Sequence, residues 1–218
     1  MRTIVYVDGY NLYYGLLRKS RYKWLDLYAL FADHVLDETA KVIEVRYYTA
    51  PVLGRMSDSQ ASPQRQRVYL QALRKYRPQG LSIVEGRIVA STPFQRLYRP
   101  IPELPHLTKV QVYDFNEKKT DVNLATDMLT AAWTQACEQI VLCSNDTDLE
   151  GALTAIRRCH PNMRLGLVAP IPGDDHRRIA GDLAQHVNWK KTLSLVHIAN
   201  AQLPDRIPHS QLKKPDGW

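Results

Sequence analysis

The chain has only three cysteines in 218 residues, and none stands in a CxxC pair. Cys137, Cys143 and Cys159 are odd in number and lie in apolar surroundings. That argues against a disulfide framework and a zinc ribbon, and marks them as small buried hydrophobes. No stretch approaches the roughly 20 apolar residues needed to cross a bilayer, so no membrane partner is expected. The opening MRTIVYVDGYNLYYG has a short apolar run and no small-residue cleavage site. It does not read as a signal peptide, and cytoplasmic residence is the expectation. The P-loop and dinucleotide glycine patterns are missing too, so ATPase and dinucleotide readings lack support. There is no internal repeat and no low-complexity tract. Acids are in short supply: 22 against 29 Lys and Arg, a net charge of +7.

That excess has an address. Residues 51–109 carry ten basic side chains (Arg55, Arg65, Arg67, Arg74, Lys75, Arg77, Arg87, Arg96, Arg99 and Lys109) and three acids (Asp58, Glu85 and Glu103). A basic surface confined to one segment suggests a polyanionic partner, most plausibly nucleic acid, although a solvated helix face explains charge alone equally well. Tyr69, Tyr76, Phe94 and Tyr98 lie among these cations, where stacking on bases competes with ordinary core packing.

Periodicity organises the rest. Thr3–Val7 is a β-branched strand closing on Asp8-Gly9, followed by a helix from about Tyr10 to Arg18. Leu27, Leu30, Phe31, His34 and Val35 share a helical face with Asp26 as N-cap. Strands are expected at 41–51, at 81–90 with a bend at Gly86, and at 109–118. A basic helix with Ser62 as N-cap and Pro63 at its first position lies between the first two. The proline-rich 91–108 segment is expected to be irregular. Then come a helix capped by Thr120, a strand Gln139–Cys143, a helix from about Thr147 to Cys159, a strand at 164–170, and a helix around Asp174–Leu183. A domain over 1–198, with a basic elaboration at about 51–109, and a tail over 199–218 complete the expected plan. Strands and helices alternating at this spacing predict an α/β fold with a mostly parallel sheet and helices on both faces.

In such sheets ligands bind beyond the carboxyl ends of the strands. Asp8 follows the first strand, Asp146 and Asp148 follow Gln139–Cys143, and Asp121 lies in the first turn of the helix capped by Thr120. The helical wheel turns Asp121 toward the sheet and rotates Asp127 by about 240° from it, leaving Asp127 secondary. Four carboxylates on one rim repel one another unless a cation neutralises them. Oxygen donors without Cys or His suit Mg²⁺ or Mn²⁺. Asn11, Ser144 and Thr147 stand where they can orient ligands or phosphate. Singly, each acid has a plainer reading: Asp8-Gly9 a turn, Asp121 a dipole-favoured first-turn acid, Asp148 a helix cap. Their convergence favours a metal site.

VYVDGYNLYYG, KKTDVNLATDML and VLCSNDTDLEGAL, in this order, resemble the signature blocks of the NYN domains, the LabA-like branch of the PIN-like nuclease superfamily. The likeness spans about residues 1–190. It implies a Rossmann-like three-layer α/β/α sandwich and a metal-dependent ribonuclease. Asp8, Asp121, Asp146 and Asp148 would form its acidic cluster and hold Mg²⁺ or Mn²⁺, with Asn11 beside them. Asp127 matches a recurrent family acid, and Asn145 replaces a common Gly. On this expectation RNA is the partner, gripped by Arg55, Arg65, Arg67, Arg74, Lys75, Arg77, Lys118 and Lys119. Metal chemistry alone does not discriminate against DNA, and homo-oligomerisation is left open. The alternative from another class is a non-catalytic nucleic-acid-binding or regulatory module on the same fold. A haloacid-dehalogenase phosphatase needs an acid two residues after Asp8, where Tyr10 stands. A DxD glycosyltransferase would leave Asp8 and Asp121 idle.

Overall fold

The computed structural model describes residues 1–54, 59–172 and 177–218. Its centre is a six-stranded, all-parallel sheet of β1 (Arg2–Asp8), β2 (Lys41–Thr49), β3 (Leu81–Glu85), β8 (Gln139–Cys143), β9 (Arg164–Ala169) and β10 (Trp189–Thr192). The order is β10-β9-β8-β1-β2-β3. From β1 the chain builds outward through β2 and β3, then returns to β1's other side with β8 and builds the opposite way. The reversal lies between β1 and β8, whose carboxyl ends carry Asp8 and Cys143 side by side in the register Val7↔Cys143. A crevice opens at such a reversal because the flanking connections leave on opposite faces of the sheet.

Alternation along the strands supplies two cores. Val5, Val7, Val45, Tyr47, Val141 and Cys143 face one layer, formed by α1 (Gly9–Leu12) with its π-helical continuation Tyr13–Leu17, α2 (Leu27–Ala29) with its continuation Leu30–Val35, α3 (Ser62–Tyr76) and α7 (Leu195–Asn200). Ile4, Tyr6, Tyr48, Ile140 and Leu142 face the other, formed by α4 (Thr120–Trp133), α5 (Glu150–Cys159) and α6 (Gly181–Ala184). This is the expected three-layer α/β/α sandwich. Asp26 caps α2 as predicted, accepting from the Tyr28 and Ala29 amides at 3.1 Å each.

Several expectations are corrected. Gly86 does not bend one strand: β3 stays in the parallel sheet, while β4 (Arg87–Ser91) leaves it to pair antiparallel with β7 (Asp114–Lys118). The predicted strand over 109–118 is two, because β6 (Lys109–Gln111) pairs instead with β5 (Phe94–Arg96) inside the supposedly irregular segment. Together they make a two-tier antiparallel arm between β3 and α4, outside the parallel sheet. α3 starts at Ser62 and its N-cap is Ala61; Lys119, not Thr120, precedes α4. Of the helix expected around 174–183, residues 173–176 lie outside the described residues and α6 covers only Gly181–Ala184. Cys137 and Cys143 are buried but Cys159 is exposed. Residues 199–218 are no free tail: Leu203 and Ile207 are buried, and the Trp218 ring meets Tyr69 at 5.7 Å and Trp24 at 6.4 Å. No helix among the described residues is long and apolar enough to cross a membrane.

Candidate functional site

Asp8 ends the innermost strand and caps α1, and it is only 3% exposed. Its Oδ1 accepts the Asn11 amide at 2.9 Å and its Oδ2 accepts the Ser144 hydroxyl at 2.8 Å. Ser144 Oγ in turn accepts the Asp146 amide at 3.1 Å, and Asn11 Oδ1 accepts the Asn145 amide at 2.9 Å. The two loops that follow β1 and β8 are thus tied together across the crevice through Asp8 and Asn11. Gly9 permits the close approach: a Cβ there would lie 2.5 Å from the Tyr48 carbonyl oxygen and 2.8 Å from the Tyr47 ring.

Burial pushes the Asp8 carboxyl up to about 6, against the two hydrogen bonds that favour its charged form; Asp121 and Asp146 add further upward pressure. Asp121 is itself raised, by partial desolvation first and then by Asp146 and Asp148. Asp8, Asp121, Asp146 and Asp148 thus lie within electrostatic range of one another. Asp121 does not pack onto the sheet as the helical wheel suggested, however. It is exposed, because the buried stripe of α4 runs through Thr120, Leu124, Met128, Ala131 and Ala132 and leaves Asp121 one position to its side. Lys119 makes the junction, in a left-handed backbone conformation at φ 80°. That conformation is costly for a non-glycine residue. Asp146, not Asp148, caps the turn after β8, with its Oδ1 accepting the Asp148 amide at 3.0 Å. Asp148 and Thr147 are exposed on that turn.

A fifth acid joins them that sequence reasoning missed. Glu117 of β7 is raised by burial, with Asp121 and Asp8 contributing. Among the described residues its Oε1 is buried with no partner of hydrogen-bonding geometry, and neither has the Thr120 hydroxyl, which lies beside it and opposes the upward shift. The signal was present: Phe115 and Glu117 alternate with exposed Asn116 and Lys118, so Glu117 had to share an inward face with an aromatic ring. These donors are all hard oxygens, and an orphaned buried carboxylate oxygen among them fits a divalent cation such as Mg²⁺ or Mn²⁺. Among the described residues no three acids, histidines or cysteines form a closed ligand group, so the rim is open and not a ready-made cage.

Residues 2–171 match the family model described as the NYN domain. The chain belongs to the NYN family of PIN-like nucleases. It is also 32% identical to 6-hydroxy-3-succinoylpyridine 3-monooxygenase HspA of Pseudomonas putida over 239 aligned positions, which cover 100% of this chain and 75% of that protein. A crystal structure of a protein of unknown function from Vibrio parahaemolyticus is similar with a TM-score of 0.49 and 14% identity, covering 88% of this chain and 92% of that one.

In this NYN domain the remaining predicted residues divide sharply. Asp127 leaves the rim: its Oδ2 accepts the Tyr48 hydroxyl at 2.7 Å on the α4 side of the sheet. Asn145 pins the segment before α6, accepting the Ala180 amide at 2.8 Å and donating to the Arg178 carbonyl at 3.2 Å. Among the basic residues, Arg77 is committed to Asp26, with Nη2 to Oδ2 at 2.7 Å, and Arg74 pairs with Glu85. Arg67 and Lys75 are exposed on α3, Lys118 and Lys119 are exposed beside Asp121, and Arg55 lies outside the described residues. Arg65 is half-buried, and it lines a cavity. Tyr69 packs in the core, whereas Phe94 and Tyr98 of the arm are exposed at 68% and 93%.

Proposed function

We propose that this NYN domain is a metal-dependent endoribonuclease working at the rim formed by Asp8, Glu117, Asp121, Asp146 and Asp148. The observation that carries the reading is the buried Asp8 carboxyl, oriented by Asn11 and Ser144 and pushed to about 6 beside other acids, at the crevice between β1 and β8. A fold does not keep an unneutralised carboxylate at such a place for stability. Asp8, Asp121 and Asp146, with Glu117 and Asp148 flanking, are the residues that would hold Mg²⁺ or Mn²⁺. The ion would supply charge neutralisation and an activated water for phosphodiester hydrolysis.

The chain's own groups do the rest. Ser144 and Asn11 fix both Asp8 oxygens, so the carboxylate needs little reorganisation when it meets a cation. Lys118 and Lys119, exposed at the root of the arm just before Asp121, would take RNA phosphates. The arm adds Arg87, Arg96, Arg99 and Lys109 and presents exposed Phe94 and Tyr98 for base stacking.

The test is incubation of single-stranded and structured RNA with protein plus Mn²⁺ or Mg²⁺, beside Asp146→Asn. Cleavage to 5′-phosphate and 3′-hydroxyl ends, lost in the variant, is expected. No cleavage with either metal, or an equally active variant, refutes it; metal-independent, salt-sensitive binding alone would instead identify a non-catalytic RNA-binding module.

A second reading is favoured by one observation, the similarity over the whole of this chain, and 75% of the relative, to a protein named 6-hydroxy-3-succinoylpyridine 3-monooxygenase. On that reading the substrate is a small heteroaromatic acid, with dioxygen and a reductant as co-reactants. Incubation with 6-hydroxy-3-succinoylpyridine, a two-electron reductant and air, followed by substrate loss, decides it.

A further inference from the structure

Beside the acid rim lies a cavity of about 320 Å³ that the hydrolytic reading does not use. It is enclosed by α1 and its continuation, the carboxyl end of β2, the start of α3 and the last two residues of the chain. Its walls are aromatic: Tyr10, Tyr13, Tyr47, Tyr69 and Trp218. Tyr69 is structural, its hydroxyl donating to the Leu25 carbonyl at 2.8 Å.

Three cations, Arg18, Lys23 and Arg65, line this aromatic shell. Lys23 and Arg65 both line it, and among the described residues neither is paired with a carboxylate. Lys23 Nζ donates to the Ser20 carbonyl at 2.5 Å. Burial and then the charge of Arg65 both disfavour its protonated form. Two like charges gathered in a half-enclosed hollow cost free energy that an anion recovers. Among the described residues the buried Tyr10 hydroxyl also has no hydrogen-bond partner. Tyr10 and Tyr47 both lie within electrostatic range of Glu117, and Tyr47 of Asp8 as well, so the cavity and the rim share a wall.

We infer that this cavity binds a planar aromatic ring carrying an anionic group. The tyrosines and Trp218 take the ring, Arg65 and Lys23 the anion, and Tyr10 a polar ring substituent. The size suits one nucleotide or one small heteroaromatic acid. The two sources share this chemistry: an unpaired nucleotide of bound RNA, or a free aromatic carboxylate. Only the nucleotide source rests on the ribonuclease reading.

The test is calorimetric titration of the full chain in EDTA with AMP, with pyridine-3-carboxylate and with inorganic phosphate. One ring-bearing anion is expected to bind, phosphate alone about tenfold more weakly, the margin of one good contact. Arg65→Glu, which removes no side-chain hydrogen bond among the described residues, should weaken that ligand by about tenfold or more. Arg158→Glu, the same charge change on exposed α5, should leave it unaltered. AMP binding assigns the cavity to a nucleotide; pyridine-3-carboxylate binding without AMP assigns it to a small acid. Failure of both ring-bearing probes at about 1 mM, or equal affinity in Arg65→Glu, overturns the inference. Asp146→Asn keeps the two claims apart. Loss of RNA cleavage with AMP binding retained supports both, whereas AMP binding by a wild type that cuts no RNA leaves the cavity assignment standing alone.

Discussion

Replacing Asp8 by Asn removes a charge from a site 3% exposed while keeping the shape of the side chain. The amide oxygen can still accept from the Asn11 amide, and Ser144 can turn its hydroxyl to receive the new N–H. What changes is the cost of ionisation. The folded-state value of about 6 lies above the ordinary 3.8, so the native state holds this proton more tightly than the unfolded chain. The associated stability is fully present below about 3.8 and is lost as pH rises through about 6. That gap corresponds to about 3 kcal/mol. In EDTA at about pH 8, Asp8→Asn is therefore expected to be more stable than wild type by up to about 3 kcal/mol, and the advantage should vanish near about pH 3.5. Urea unfolding of both proteins across this range measures it, because the difference between them cancels every other titrating group. Adding Mn²⁺ at high pH should then stabilise wild type and not the variant, by mass action on the native state. A difference that does not vary with pH would refute the reasoning, since it would mean that Asp8 pays no ionisation penalty in the fold.

Arg77→Ala should lower stability by about 3 kcal/mol, because it strands the Asp26 carboxylate, whose side chain is 4% exposed, without its ion pair. A thermal melt reads the loss, and RNA affinity should be unchanged, against the expectation that Arg77 grips RNA. Gly9→Ala would place a Cβ 2.5 Å from the Tyr48 carbonyl oxygen and should destabilise by about 1–3 kcal/mol. Because the displaced segment carries Asp8, single-turnover cleavage should fall further than the melting temperature suggests.

The parallel sheet and its acids were legible because both follow from local chemistry. A β-branched run ending in Asp-Gly, and a second ending in Ser-Asn-Asp-Thr-Asp, announce strand ends, and parallel topology then forces the ends together. The arm was not legible. Its strands are three to five residues long and pair across residues 92–113 and 97–108 of proline-rich chain, so pairing, not propensity, defines them. Asp121 was misoriented for another reason. The wheel set the buried face one position off: the stripe that packs runs through Thr120, Leu124 and Met128 and leaves Asp121 beside it. Asp127 was drawn toward function by its match to a family acid and Arg77 by its place in the basic segment, and only their partners, Tyr48 and Asp26, tie them to the fold.

The cavity was the least legible feature, since it joins α1 to Trp218 from opposite ends of the sequence. Its charge is nonetheless the complement of the rim's. Acids raised by burial and mutual repulsion stand on one side of the Tyr10 and Tyr47 wall, and Lys23 and Arg65 stand on the other. Left alone, each group would be more stable if the other were interleaved with it, and the fold keeps them apart. An RNA strand bridging the wall would satisfy both, with its phosphate on the cations and the next one brought by metal to the acids. On that account the two halves should respond differently to salt. Binding in the cavity should weaken steeply with monovalent salt, as cation–phosphate contacts do. The chemical step, once RNA is saturating, should depend on divalent ion and hardly on monovalent salt, because a partly buried site is screened much less.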